Sequence, residues 1–155
     1  MGSQPVADVR AALLGAGIDA ELRTFAETVP TAAAADAALG CEVGAIANSL
    51  VFSLGEEPLL VLASGAHRVD TQKLAQLLDC GPIRRATPEF VFEHTGQQVG
   101  GVAPVGHVRR LRTVVDVALA AYGVLWAGAG DEHTMFATNF DQLLALTEGT
   151  AAEVA

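Results

Sequence analysis

Thr95-Gly96-Gln97-Gln98-Val99-Gly100-Gly101-Val102-Ala103-Pro104-Val105-Gly106-His107 sets four glycines and one proline around a single titratable side chain. Glycine loses the most backbone entropy on ordering and proline lacks an N–H, so the stretch suits neither a helix nor an interior strand. It reads as a loop, and its flanks must supply the regular structure. Two readings of the loop stand at this point. It can expose backbone N–H groups to a ligand with the His107 imidazole beside them, as a developing oxyanion in acyl transfer requires. It can also be a glycine-rich bend whose histidine caps a turn.

Outward from the loop, the sequence alternates short helical and strand-like segments. Upstream, Val6 to Leu14 has apolar residues at helical spacing and stops at Gly15 and Gly17. Glu21 to Phe25 reads as a strand. Thr28-Val29-Pro30-Thr31 offers a cap and a first-turn proline for a helix from Thr31 to Leu39, ended by Gly40. Ser49 to Leu54 and Leu59 to Ala63 flank Gly55-Glu56-Glu57-Pro58, a hairpin signal. Asp70 caps a helix running to Leu78, Ile83 to Arg85 is a short strand, and Thr87-Pro88-Glu89 opens a helix ending before Gly96, with His94 as its expected cap. Downstream, Thr113 to Val117, Val124 to Trp126 and Thr134 to Ala137 are strand-like, and Asn139 or Asp141 starts a last helix. No strict βαβ repeat, internal repeat or linker breaks the chain. The pattern predicts one α+β domain over residues 1–155 around a mixed sheet.

Composition agrees with a folded globule: 155 residues, 51% of them apolar, suffice for one real core. No apolar run reaches the length of a membrane span, and Met1-Gly2-Ser3-Gln4-Pro5 lacks a basic start followed by an apolar core, so the expected location is the cytoplasm. Cys41 and Cys80 have no metal-ligand spacing and read as reduced thiols. The net charge of −9 argues against binding nucleic acid with the whole surface. Its distribution is uneven, because seven of the nine basic residues lie between His67 and Arg112, with only four of the eighteen acidic ones. That window is either ordinary solvated surface or a basic lip suited to a few phosphates of an RNA end.

The run from Ala33 to Phe52 resembles the helix, turn and strand found early in the YbaK-like family. That family includes the editing domain inserted in bacterial prolyl-tRNA synthetases and its free-standing relatives. The similarity continues through Val69-Asp70, Ile83-Arg84-Arg85-Ala86, Thr95-Gly96 and Gly100 to His107, then Trp126 to Gly130 and Phe140 to Leu143. It covers about Leu13 to Gly149, and its most specific element is the glycine–proline–histidine motif. The Ser64-Gly65-Ala66-His67-Arg68-Val69-Asp70 run resembles the free-standing ProXp-x subgroup. The resemblance implies a mixed six- to seven-stranded, barrel-like β-sheet with surrounding helices, closed or nearly so.

The resemblance also implies an editing pocket in which His107 ends the glycine–proline loop. His107 would transfer a proton or orient the substrate. Gly100 and Gly101 would let an ester approach the backbone donors, and Pro104 would keep those donors aimed. Asn48, Ser49, Ser64, His67 and Arg68 are the expected substrate-binding residues. Asn48 stands where the family typically has a lysine, so hydrogen bonds replace that charge or an arginine such as Arg68 supplies it. Small apolar residues at Ala127 and Gly128 stand near the position of a serine in cysteine-specific relatives, which argues against a dedicated cysteinyl-tRNA deacylase.

His67, His94 and His133 have no zinc spacing, and no metal or other cofactor is expected. Neither a GxSxG elbow, a Walker loop nor a dinucleotide fingerprint occurs. The expected function is trans-editing. A deacylase would hydrolyse the ester of a mischarged tRNA, with proline tRNA carrying a small wrong amino acid as the expected substrate. The expected partners are the 3′ end of that tRNA and an aminoacyl-tRNA synthetase. The alternative is a non-catalytic module that binds an aminoacyl end or a small metabolite, docked on a synthetase.

Overall fold

The computed structural model describes residues 3–29 and 31–155. Five helices and eight strands follow one another as α1 (Gln4–Gly15), β1 (Leu22–Thr24), α2 (Ala32–Leu39), β2 (Ile46–Leu54), β3 (Glu57–Ser64), α3 (Thr71–Leu78), β4 (Arg84–Arg85), α4 (Pro88–Thr95), β5 (Arg112–Asp116), β6 (Leu125–Gly128), β7 (Thr134–Thr138), α5 (Phe140–Thr147) and β8 (Thr150–Ala152). Local chemistry sets the helix ends. The Thr31, Asp70, Thr87 and Asn139 side chains accept the Ala34, Lys73, Phe90 and Gln142 N–H groups, and each such cap is worth about 1 kcal/mol. Gly40 and Gly96 close α2 and α4 in the left-handed region at φ 69° and 73°. Pro30, expected near the first turn of α2, lies outside the described residues. His94 does not cap α4 but packs its ring, tilted by 48°, against Phe90, with centroids 4.3 Å apart.

All strands join one mixed sheet in the order β1-β7-β6-β2-β3-β5-β8, with β4 also on β2. The hairpin turn is shorter than expected, because Leu54 pairs with Glu57 and Pro58 with Ser53 inside the ladder. β5 pairs with β3 only from Leu59 onward, so the missing proline N–H costs no ladder bond on that side. Beyond the hairpin, β2 pairs in parallel with β6, and β3 in parallel with β5. The sheet holds eight strands rather than six or seven, and its path is open, ending at β1 and β8. The unforeseen strand is β8, whose Thr-Ala-Ala sequence has no apolar alternation and which is held by its parallel pairing with Val114–Asp116.

Side-chain alternation divides the interior. Ala47, Leu60, Leu62, Val115, Leu125, Ala127 and Phe136 share the largest core with Val9 and Leu13 of α1, Val91 of α4 and Leu143 of α5. The opposite register positions Phe52, Leu59, Val61 and Val114 pack with Leu74 of α3, while Ile46, Trp126 and Met135 pack with Ala35 of α2. The sheet is thus covered by helices on both faces. The described residues include no helix long and apolar enough to cross a membrane.

Candidate active site

A cleft of about 590 Å³ opens where β2 meets the start of α2, the residues just before α3, β4, α4, the glycine-rich loop, the β6–β7 turn and the start of β7. This volume falls in the range of small-molecule sites. Asn48 and Ser49 line it from β2, His67 and Arg68 from the approach to α3, Arg85 from β4, Gly100 and Val102 from the loop, and Asp131 from the turn. Five expected site residues therefore meet in one place: Asn48, Ser49, His67, Arg68 and Gly100. Gly101, Pro104, Ser64 and His107 do not line the cleft.

The reason lies in how the loop is built. Gln97 is buried, with 1% of its surface exposed. Its Oε1 accepts the Ala103 N–H at 2.8 Å, and its Nε2 donates to the Val105 carbonyl at 3.2 Å. Thr95 Oγ1 donates to the Val91 carbonyl at 2.7 Å and accepts the Gln97 N–H at 2.9 Å, tying this amide to the end of α4. His107 Nε2–H donates to the Ala103 carbonyl at 2.6 Å. Burial pushes the His107 pKa below the ordinary imidazole value and outweighs the opposing effect of that carbonyl. His107 is thus a neutral brace behind the loop rather than a group in the cleft.

Gly101 serves packing. Its N–H donates to the Gln98 carbonyl and its carbonyl accepts the Gly130 N–H, each at 3.0 Å. A Cβ on Gly101 would come within 2.6 Å of the Asp131 backbone, so its bare backbone accommodates the β6–β7 turn. Gly100, at φ 93°, is the glycine of this loop that reaches the cleft. Neither the Gly100 nor the Val102 N–H has a hydrogen-bond partner among the described residues. Pro104 is buried, one residue past the Ala103 anchor.

Ser64 is also occupied elsewhere. Its hydroxyl donates to the Gly44 carbonyl at 2.8 Å, and its N–H donates to Asp116 Oδ2 at 3.0 Å. The same Asp116 oxygen lies 2.8 Å from His67 Nδ1. Asp116 was not expected at the site; the only sequence signal was an acidic residue closing an otherwise apolar strand. Asp131 was missed as well. Burial pushes its carboxyl up, but the His133 N–H and the Ser3 and Thr134 hydroxyls together hold it below the usual carboxylate value. In contrast, Ser49 Oγ is buried with no hydrogen-bond partner among the described residues.

The family model described as the aminoacyl-tRNA editing domain matches residues 26–146, which include every residue of the cleft just described. The chain belongs to the aminoacyl-tRNA editing domain family. A solved structure of a candidate trans-editing enzyme for prolyl tRNA synthetase superposes on this editing domain with a TM-score of 0.92 and 37% identity, covering 99% of this chain and 98% of the other. The uncharacterized protein YwhH of Bacillus subtilis is 30% identical over 115 residues, 74% of this chain and 71% of its own length. The proline–tRNA ligase of Bacillus licheniformis is 33% identical over 118 residues. This editing domain spans 21% of that ligase's length.

Proposed function

We propose that the cleft is a deacylase site that hydrolyses the ester of a mischarged tRNA, with residues 1–155 acting as one editing unit in the cytoplasm. The expected substrate is a tRNA for proline carrying a small wrong amino acid. The observation that carries this reading is the meeting, in one small cleft, of Gly100 and Val102, whose N–H groups have no partner among the described residues, with Ser49, whose buried hydroxyl has none either. A buried unpaired polar atom such as Ser49 Oγ costs about 1–3 kcal/mol, and a bound amino-acid head would satisfy it while an ester carbonyl takes the free loop N–H groups. The similarity to a solved candidate trans-editing enzyme for prolyl tRNA synthetase supports the same reading.

In this reading the Gly100 and Val102 N–H groups hold the carbonyl oxygen as it gains charge. Ser49 and Asn48 hydrogen-bond the aminoacyl head. Ala35, Ile46, Val91 and Met135 form apolar walls that bound the size of the acyl group, the principle of a size sieve. Arg68 and Arg85, which enter no ion pair among the described residues, line the cleft where terminal phosphates would lie. They supply the charge that Asn48 does not.

Release of labelled amino acid from a panel of mischarged tRNAs tests the proposal. Turnover on proline tRNA carrying a small residue, with correctly charged prolyl-tRNA spared, is the expected result. Tight binding without release would overturn the deacylase reading in favour of a non-catalytic binder, and neither binding nor release would overturn both.

A further inference from the structure

Asp116 closes β5 with no exposed surface, and it is fully engaged. Oδ2 accepts the Ser64 N–H at 3.0 Å and faces His67 Nδ1 at 2.8 Å, while Oδ1 accepts the Ala118 N–H at 3.0 Å. Because both oxygens accept from backbone N–H groups, the imidazole meets the carboxylate as a donor, with its proton on Nδ1. A neutral ring then carries its lone pair on Nε2. Of the four histidines, only His67 lines the cleft. Its side chain keeps 38% of its surface exposed, against 1% for Asp116. A buried acid fixing the tautomer of a half-exposed histidine is how base strength is aimed at a reacting centre. His107 shows the opposite arrangement, with its proton on Nε2 and its ring behind the loop.

We propose that His67 is the general base of the deacylation and that Asp116 is its positioning residue, an inference that rests on the hydrolytic reading above. Water attacks the ester carbonyl carbon and gives its proton to His67 Nε2, while the carbonyl π pair moves onto the oxygen held by the loop N–H groups. Collapse of that adduct breaks the bond to the terminal ribose oxygen, which takes the proton back from the imidazolium. The products are free amino acid and a tRNA with its hydroxyl restored. Water is the only co-reactant.

Single-turnover deacylation of mischarged proline tRNA, measured alongside tRNA affinity, tests the assignment. His67→Ala should lower the rate by roughly 10²- to 10⁴-fold, the usual span of general-base catalysis, without weakening binding. Imidazole added to the buffer should restore part of that loss. Asp116→Asn should also slow turnover, because its amide donates toward Nδ1 and inverts the ring's tautomer. Nitrogen-15 spectra of the wild-type protein should show His67 protonated on Nδ1 and His107 on Nε2, a readout that stands even if Asp116→Asn fails to fold. An unchanged rate in folded His67→Ala, a loss that imidazole does not restore, or a wild-type His67 protonated on Nε2 would each overturn the proposal. Wild-type protein that hydrolyses no mischarged tRNA would overturn the deacylase reading with it, whereas an active wild type with an equally active His67→Ala would overturn the base assignment alone.

Discussion

The Ala103 N–H reaches the Oε1 of buried Gln97 across 2.8 Å, and this one bond turns a glycine-rich segment into a fixed wall of the cleft. The same amide donates to the Val105 carbonyl, so both ends of the Ala103–Val105 turn hang on one side chain. Gln97→Leu should leave the Ala103 N–H unpaired in the interior, lowering stability by about 1–3 kcal/mol in urea unfolding. Turnover should fall further than stability explains at temperatures where the variant is fully folded. Equal turnover would mean that the loop keeps its shape without this amide.

His107 gives the protein an acid sensitivity of known sign. Its folded pKa is lowered from 6.5, so the unfolded chain takes up a proton at higher pH than the folded one. The contribution is fully present above the ordinary value and is lost as pH falls from there toward the depressed folded value. Unfolding free energies measured from pH 7.5 down to 5 should show this decline, and His107→Gln should flatten it. Asp131 behaves alike in more acid solution: its carboxyl is held below 3.8, so its stabilisation is fully present above that value and is lost as pH falls from there through the depressed folded value.

Gly100 and Gly101 should fail in different ways. Gly101→Ala drives a Cβ into the Asp131 backbone, which cannot swing aside, so the variant should melt many degrees lower or fail to accumulate. At Gly100 the nearest atom is the flexible end of the Glu132 side chain at 3.1 Å, and the cost comes from its positive φ, about 1–2 kcal/mol. Gly100→Ala should therefore stay folded while losing deacylation. Paired melting curves and rates separate the two.

The arginines should divide by position. Arg68 and Arg85 line the cleft, whereas Arg110 is paired with Glu148 and Lys73 with Glu153. Replacing Arg68 and Arg85 together should weaken tRNA binding and reduce its salt slope by about two, one per lost phosphate contact. Replacing Arg109 and Arg110 should change either quantity by less. A salt-independent affinity in the wild-type protein would remove the arginines from tRNA recognition.

Helix boundaries were legible because their causes are local: Thr31, Asp70 and Thr87 cap the N–H group three residues on, and Gly40 and Gly96 adopt a left-handed turn that few other residues tolerate. Strand order was not legible, since nothing near Ile46 announces that it will pair with Trp126. The site was half legible. Asn48, Ser49, His67, Arg68 and Gly100 were found by their place in a motif, and they do share the cleft. Ser64 and His107 belong to the same motifs, but backbone carbonyls claim the Ser64 hydroxyl and the His107 Nε2–H, and a string of letters does not show which hydroxyl or ring nitrogen is already spoken for. Asp116 and Gln97 were passed over for a related reason, because their importance lies in burial and in partners far along the chain.

The pairing of Leu22 with Phe136 and of Ile46 with Trp126 also bears on how the protein is made. Each joins a strand to one far along the sequence, so the walls of the cleft cannot close until β6 and β7 have been synthesised. Such distant pairings slow folding, because a long loop must be ordered before its contacts form. A nascent or truncated chain lacking β6 and β7 therefore lacks the wall of the cleft that Gly128, Thr134 and Met135 form.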